Sequence, residues 1–380
     1  MSGAKASALP RYLPGLDVVR AIAAAMVVVC HAVRASTIWN PAWTALHPHA
    51  GAGIETSMSL LGAWGVGLFF VLSGVCIHLP RARAIALGEP PSLETSTYFW
   101  RRFRRIYPPH FLALTISAGV AFALAGPLLA FGVHPMISVP TAKQLVLHLL
   151  LLHSFFPSAV SSVNHVLWSI AVEAHFYLLY PLLLLARRRV GIARLCLALL
   201  LFSIAVKVGA HGLSAETKRI LAQSFLCRFW EWTLGCAVAE WLCVRGPLPR
   251  VTLPRLLGAM GVSFLLGGLA SRLPYGSLCY GTLWPVLFGL IVIGACGLVI
   301  STEHWLVRTG TRSYSLYLTH PIALTVGLLL ARRWGLPFWS ECLVALPLIT
   351  AGMFAFYRVA EAPFLSKKRA VTTAPSRAAP

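Results

Sequence analysis

The sequence predicts an all-α integral membrane protein, a polytopic bundle of about ten transmembrane helices. Hydrophobic residues make up 58% of the 380-residue chain, and charged residues only 11%. A soluble domain carries about a quarter charged residues, so this composition excludes that class. Apolar runs of roughly 20 residues, the length that crosses a bilayer, recur along the chain and leave no room for a separate soluble domain of ordinary size.

The positions of the apolar runs give the predicted spans. We expect them at about 15–36, 58–79, 108–131, 166–186, 190–209, 224–243, 255–271, 279–300, 313–331 and 340–360. The stretch 143–156, KQLVLHLLLLHSFF, is too short to span and predicts an interfacial or re-entrant helix. The tail after Leu365 contains mainly Ala, Pro, Lys and other small or polar residues, and we expect it to be disordered.

The distribution of Lys and Arg predicts the orientation. A net charge of +21 would suggest nucleic acid as the partner of a soluble protein. Here most basic residues lie between apolar runs, as the positive-inside rule requires, and we expect no nucleic-acid partner. With the N-terminus inside, the inner loops receive about three times as many Lys and Arg residues as the outer loops, which predicts that both termini are cytoplasmic. The outer side receives Arg34, Lys143, Lys218, Arg219, Arg272, Arg332 and Arg333.

The nine cysteines include no CxxC pair, and most of them lie inside apolar segments. This pattern argues against a zinc site or a disulfide framework. We therefore expect no bound metal, and we interpret the cysteines as small buried side chains.

Three ionisable residues occupy the first span: Asp17, which is the only Asp of the chain, Arg20 and His31. Such groups cost about 2.5–3.5 kcal/mol each at a helix centre, so they tend to face a protein interior. Arg20 and His31 are eleven residues apart and share a helix face, about 16 Å from each other. Asp17 is at the right spacing to pair with Arg20. Either His31 is a general base, or Asp17 and Arg20 are interfacial anchors and His31 caps the outer end.

Two further patterns point to ligand contacts. The run YFWRRFRRIYPPH has four arginines, among them Arg102 and Arg105, followed by Tyr107. Arginine binds phosphate oxygens through paired donors, although anionic lipid or simple anchoring explains such a loop equally well. In the second span, GVGLFFVLSGVCIHLP, the glycines indicate either close helix packing or a groove for a ligand chain.

The fourth span, in NHVLWSIAVEAHFYLLYP, contains Glu173 among apolar residues, with Tyr177 on the same helix face. A carboxylate in the membrane needs a partner, for which we expect Arg20, His31 or a substrate hydroxyl. A structural hydrogen-bonding role is the alternative. For Glu231 and Glu240 we expect structural pairing, with Arg228 nearby.

Near the end, RSYSLYLTHPIAL places His320 directly before Pro321 in an apolar run. The proline predicts a kink whose freed backbone groups need polar partners. The block contains the polar residues Ser313, Tyr314, Tyr317 and His320, which we interpret as structural. We interpret Arg358 and Glu361, at the close of the tenth span, in the same way.

Six blocks of the sequence, in order, resemble the acyltransferase-3 family of integral membrane acyltransferases, which includes O-acetylases of bacterial polysaccharides and macrolide-tailoring acyltransferases. The blocks are LDVVRAIAAAMVVVCHA, GLFFVLSGVCI, RRFRRIYP, WSIAVEAHFYLLYP, SYSLYLTHPI and EAPF. They extend over nearly the whole chain. The resemblance implies an acyltransferase-3 transmembrane domain over 1–365, followed by a disordered cytoplasmic tail over 366–380.

The resemblance also implies the activity, which is transfer of an acyl group, usually acetyl from acetyl-CoA, to a hydroxyl. His31 and Arg20 then belong to the catalytic motif, and Glu173 and the Arg102/Arg105 pair matter for activity. Acyl-CoA is expected as a donor substrate and not as a permanently bound cofactor. Candidate acceptors are polysaccharide, lipid-linked sugar, peptidoglycan and macrolide. Membrane lipids are the remaining expected partners, and the expected location is the inner or plasma membrane.

The expected mechanism combines these residues. The nucleotide end of acyl-CoA docks against Arg102 and Arg105, beside Tyr107, at the inner face. His31 acts as general base on the acceptor hydroxyl, directly or through an acyl-enzyme relay. The remaining assignments are that Asp17 and Arg20 position the donor and that Glu173 orients a histidine or the acceptor.

No GxSxG motif is present to supply a serine nucleophile. The rival interpretations are a transporter or flippase, for which we find no inverted repeat, and an assembly protein without catalysis.

Overall fold

A computed structural model describes residues 9–10, 12–89, 93–246, 248–273, 276–337 and 340–365, the side chains of 276–283 excepted. Helices make up nearly all regular structure in these ranges, and the only strand-like pairings among them are two isolated bridges, Ile137 with Asn164 and Val251 with Leu298. The prediction of an all-α protein is confirmed. The predicted tail 366–380 lies outside the described residues.

Fourteen α-helices follow one another along the described chain. They are α1 Pro14–Ser36, α2 Pro41–Leu46, α3 Gly51–Ala86, α4 Thr95–Ala130, α5 Ala142–Leu149, α6 Leu167–Val190, α7 Ile192–Gly209, α8 Ala215–Gln223, α9 Phe225–Arg245, α10 Leu253–Ala270, α11 Gly276–Cys296, α12 Trp305–Gly310, α13 Ser313–Arg333 and α14 Glu341–Phe356. A π-helical turn, Tyr357–Glu361, and a short 3-10 turn, Ala362–Phe364, continue α14.

Ten of these helices lie at the ten predicted span positions. Eight of the described helices are long and apolar enough to cross a membrane by length and composition: α1, α3, α4, α6, α7, α10, α13 and the continuous stretch Glu341–Phe364. The other two are α9 and α11, and in α11 the described apolar part is Trp284–Cys296. Helix α9 is more polar because it carries Arg228, Glu231 and Glu240, which find partners inside the bundle.

Helices α3 and α4 each have 36 residues, about 54 Å, and extend well beyond the predicted apolar spans. The extension of α4 corrects one expectation, because the arginine run expected in a loop forms the second and third turns of this helix. Arginine is a good helix former, so nothing in the run ends the helix.

The short apolar stretch around α5 folds back along α4. A capping box of Thr141 and Gln144 starts α5, and the Tyr107 hydroxyl donates to Leu149 O at 3.1 Å near its end. On the return, Asn164 Nδ2 donates to Ser117 Oγ at 2.9 Å. Tyr107 and Ser117 are ten residues apart on α4, so the segment runs about 15 Å along that helix. This geometry favours the re-entrant alternative over the interfacial one.

Glycines bring α3 against its neighbours at the centre of the bundle. A Cβ on Gly74 would lie 2.0 Å from Trp232 O, and one on Gly235 would lie 2.2 Å from Val71 O. A Cβ on Gly65 would approach Ala23 O of α1 to 2.8 Å. The glycines of the second span therefore serve close packing of α3 against α1 and α9.

Candidate active site

The first turn of α1 holds a buried acid–base pair. Asp17 is 1% exposed and forms an ion pair with Arg20, as the spacing predicts. The Tyr12 hydroxyl donates to the second Asp17 oxygen at 2.6 Å, and Arg20 Nη2 donates to Cys76 Sγ of α3 at 2.7 Å. The pair is thus built into the protein interior, and the Arg20 guanidinium is held in one orientation.

Arg20 and the arginine run of α4 converge on one cavity of about 690 Å³, which we call the arginine cavity. Its wall includes Arg20, Arg101, Arg102, Arg104 and Arg105, together with Ser73, Glu173, Tyr177, Tyr314 and Tyr317. The five guanidinium groups come from only two helices, α1 and α4. This clustering of positive charge suits a polyanionic ligand such as a nucleotide phosphate.

Arg102 and Arg105 share a face of α4 because three residues correspond to nearly one helical turn. Arg105 Nη1 contacts Glu361 Oε1 at 2.5 Å, and the other oxygen of Glu361 accepts from Ser315 Oγ at 2.6 Å. Glu361 thus has a defined partner in the site. The Arg102 guanidinium lies over the Tyr177 ring at 5.7 Å and forms no ion pair among the described residues, so its charge remains available to a ligand.

Tyr107 does not reach the arginine cavity. It follows Arg105 by two residues, so its side chain projects about 200° around the helix from that arginine. There its ring stacks on Phe103 and its hydroxyl bonds Leu149 O of the re-entrant segment. The geometry does not support the expected contact of Tyr107 with the acyl donor.

Glu173 lies in the wall of the arginine cavity with partners that differ from those expected. It accepts hydrogen bonds from Ser73 Oγ at 2.7 Å and from Tyr177 OH at 2.6 Å. The i, i+4 relation with Tyr177 is confirmed, but neither Arg20 nor His31 bonds Glu173. The expectation of a pairing with either residue was wrong, because this face of α6 meets Ser73 of α3. The Ser73 Oγ also accepts a hydrogen bond from Trp232 Nε1 of α9 at 3.2 Å.

His31 lies at the other end of the polar interior, next to a second histidine. Its Nδ1 is 2.9 Å from Nε2 of His320, and the two rings are stacked. The Nδ1 of His320 is in turn 3.2 Å from Leu316 O. Because a carbonyl only accepts, His320 carries its proton on Nδ1 and accepts from His31 Nδ1. This assignment leaves His31 Nε2 unprotonated and able to take a proton.

His31 opens onto a second cavity of about 820 Å³, which we call the histidine cavity. Its polar wall includes His31, Arg34, Glu55, His165, Lys207, Lys218, Arg219, Arg228 and Glu231. The arginine cavity and the histidine cavity share two wall residues, Val66 and Tyr317. Tyr317 bonds Ser169 at 2.7 Å and packs its ring against His320, so the two chambers meet at the side chains of Val66 and Tyr317.

His165 approaches His31 at the start of α6, with ring centroids 6.4 Å apart. Burial, together with the positive charge of Arg34, lowers the pKa of His165 to about 4. The imidazole is therefore neutral at pH 7. Sequence reasoning missed His165 and also the contact of His320 with His31, although the His-Pro pair inside an apolar run was a signal for the latter.

Among the described residues, no group of three or more His, Cys, Asp or Glu has a geometry that could hold a metal ion. The two cavities present arginine, histidine and hydroxyl groups of the chain. These groups can bind phosphate, accept a proton and orient a hydroxyl.

Comparison with known proteins identifies the family of this chain. The acyltransferase-3 family model, described as an acyltransferase domain, matches residues 13–358. Acyltransferase MdmB of Streptomyces mycarofaciens is 27% identical over 96% of this chain and 96% of its own length. The putative peptidoglycan O-acetyltransferase YrhL of Bacillus subtilis (strain 168) is 27% identical over 65% of this chain and 35% of its own.

The O-acetyltransferase OatA of Staphylococcus aureus (strain NCTC 8325 / PS 47) is 24% identical over 83% of this chain and 51% of its own length. The chain thus spans about half or less of YrhL and OatA, but nearly all of MdmB. No solved structure matches. The family match covers most of the chain, and the chain belongs to the acyltransferase-3 family as a multi-pass membrane acyltransferase that transfers groups other than amino-acyl groups.

Proposed function

We propose that the protein moves an acyl group, acetyl in the first instance, from acyl-CoA to a hydroxyl of a carbohydrate or related acceptor. The observation that carries this proposal is the pair of cavities. One is lined by five arginines, the other contains His31, and the two share Tyr317 as a wall. A donor with phosphates and an acceptor with a hydroxyl each find the matching chemistry in a different chamber.

The donor is held in the arginine cavity. Arg102, which is not paired with an acid among the described residues, and the exposed Arg101 and Arg104 are the groups that bind the phosphates of coenzyme A. The pantetheine arm then extends along the cavity towards Tyr317. Arg20, fixed by Asp17, adds a positive charge deeper in the same cavity.

The chemical step takes place at His31. Its Nε2 removes the proton of the acceptor hydroxyl, while His320 keeps the imidazole in the required tautomer. The oxygen forms a bond to the acyl carbon, the carbon–sulfur bond breaks, and the proton passes to the departing thiolate. An acyl-histidine relay uses the same atoms in two steps, with Nε2 of His31 as the acyl carrier.

The cytoplasm is the compartment that supplies acyl-CoA, so the arginine cavity faces it. The excess of Lys and Arg in the loops on that side supports this orientation. Both termini are then cytoplasmic, and the histidine cavity opens on the outer side of the inner or plasma membrane.

Acyl transfer by the purified protein in detergent tests the proposal. Acetyl-CoA labelled in the acetyl group is supplied with an extract of the envelope glycans and lipids, and both labelled product and released thiol are measured. We expect His31→Ala to lower the transfer rate by a factor of about 10² to 10⁴, the usual contribution of a general base. The exposed His49 supplies the matched control, since His49→Ala should keep full activity.

Full activity in folded His31→Ala protein would contradict the assignment. Absence of both transfer and thiol release with the intact protein would instead favour the transporter. A transporter has no measurable activity in detergent, because no membrane there separates two compartments.

A further inference from the structure

The wall of the histidine cavity has an excess of positive charge. Five basic residues line it: Arg34, Lys207, Lys218, Arg219 and Arg228. They come from four helices, α1, α7, α8 and α9, so the cluster is formed only by the folded bundle. Against these five cations the same wall presents two carboxylates, Glu55 and Glu231.

Each carboxylate is already paired. Arg34 Nη2 contacts Glu55 Oε1 at 2.6 Å, and Arg228 Nη1 contacts Glu231 Oε1 at 2.7 Å. This leaves three cations, Lys207, Lys218 and Arg219, that form no ion pair among the described residues. Within the described part of the chain, the Lys218 ammonium donates to a backbone oxygen, that of His211, at 3.1 Å.

Topology does not account for these cations. The positive-inside rule disfavours Lys and Arg in the loops on the side to which the histidine cavity opens. Three of the seven basic residues predicted for that side, Arg34, Lys218 and Arg219, nevertheless lie in the wall of this one cavity. Positive charge concentrated in a cleft raises the local concentration of an anion and orients it.

We propose that the acceptor is an anion, a molecule that carries a phosphate or carboxylate close to the hydroxyl that is acylated, and that Lys207, Lys218 and Arg219 bind this group. The inference rests on the proposed function, since it names the class of acceptor that the histidine cavity takes. It excludes a neutral sugar or a neutral macrolide as the preferred acceptor. The anionic group anchors the molecule while its hydroxyl reaches His31.

Direct binding tests the inference without using acyl transfer. The purified protein in detergent is titrated with three probe pairs, in each of which one member carries an anionic group that the other lacks: glucose 1-phosphate against glucose, glucuronate against glucose, and farnesyl phosphate against farnesol. Saturation-transfer NMR measures the sugars, and quenching of tryptophan fluorescence measures the lipids, since Trp168 lies in the cavity wall. We expect at least one anionic probe to bind about tenfold more tightly than its neutral partner and to weaken as salt rises from 50 to 500 mM.

Variants locate the binding. Lys207→Gln, Lys218→Gln and Arg219→Gln should each weaken the anionic probe about fivefold, the order expected for one solvent-accessible charge pair. Arg272→Gln and Arg333→Gln are the matched controls, since both are exposed basic residues outside the cavity, and they should change nothing. A preference for the farnesyl phosphate pair alone identifies a lipid-borne phosphate, and a preference for the sugar pairs identifies a soluble or glycan-borne anion.

Equal binding of charged and neutral probes would overturn the inference. Tight binding of farnesyl phosphate that none of the three cavity variants weakens would also overturn it, since the probe would then bind the lipid-facing surface and not the cavity. His31→Ala protein should bind the anionic probe as the intact protein does. Absence of acyl transfer by the intact protein, together with retained anion binding, would therefore count against the proposed function and not against the anionic acceptor.

Discussion

At the scale of single residues, the arrangement around His31 differs from what the sequence suggested. His31 was one of three candidate partners of Glu173, but its partner is His320, 289 residues later in the chain. A histidine whose far nitrogen faces Leu316 O fixes the tautomer of His31 without adding a negative charge.

We expect His320→Ala to lower kcat by at least about tenfold with little change in the KM for acetyl-CoA, since the donor lies in the other cavity. His320→Gln offers a side-chain oxygen that can accept from His31 Nδ1, so it should recover part of kcat. Steady-state kinetics on the folded variants measure both. A purely structural role for His320 would lower the amount of folded protein and leave the kcat of the folded fraction unchanged, and that result would contradict the positioning role.

Residue-level features were predictable where they are local. The Asp17–Arg20 pair and the Glu173–Tyr177 contact follow from spacings of three and four on one helix. The Ser73–Glu173 bond joins residues 100 positions apart, and no periodicity in the sequence indicates it. The same limit explains why His165 was missed.

At the scale of elements, α3 and α9 cross in close contact. The two glycines at this crossing, Gly74 and Gly235, let the backbones touch, and the sequence indicated packing at the first of them. The re-entrant position of α5 was only one of two predicted alternatives. Hydropathy measures length and composition, whereas the choice depended on contacts with α4 that the sequence does not show.

Replacement of Gly74 by Ala should destabilise the protein by about 1–3 kcal/mol, because the new Cβ overpacks against the backbone of α9. Thermal unfolding in detergent measures the change. Gly119 on α4 has nothing within 4 Å of an added Cβ, so Gly119→Ala is the matched control and should be neutral or slightly stabilising. An equal loss in both variants would contradict the proposed crossing.

The re-entrant segment has its own pH dependence. Burial lowers the pKa of His153 to about 2, and it also lowers the pKa of the stacked His148. As pH falls below about 6.5, these histidines take up protons in the unfolded chain but stay neutral in the folded chain. The free energy of unfolding therefore falls by up to about 1.4 kcal/mol per pH unit for each such histidine. Stability is thus fully present above pH 6.5 and is lost towards acid.

His153→Phe keeps an aromatic ring and removes the titrating group, so stability should fall less between pH 7.5 and 5.5 than in the intact protein. The exposed His49→Phe serves as the control. Unfolding temperatures measured at several pH values give both slopes. Identical slopes in the intact protein and in His153→Phe would contradict a buried neutral His153.

At the scale of the whole molecule, the class was predictable because bilayer thickness sets the length of each apolar run. The ten predicted positions all carry helices, even though α9 is too polar to be counted by hydropathy. The two cavities could not be predicted, since each draws its wall from helices far apart in the sequence. In the proposed function, donor and acceptor enter these two cavities from opposite sides and meet at His31.

Sided transfer in closed vesicles tests this central claim most directly. Inverted and right-side-out membrane vesicles are prepared from cells in which the chromosomal gene is replaced by the intact or the His31→Ala form. Both receive acetyl-CoA, labelled in the acetyl group, on the outside only. We expect label in envelope material of the inverted vesicles with the intact protein, and none in right-side-out vesicles or with His31→Ala. Equal labelling in both vesicle orientations, or full labelling with His31→Ala, would contradict transfer from the arginine cavity to an acceptor at His31.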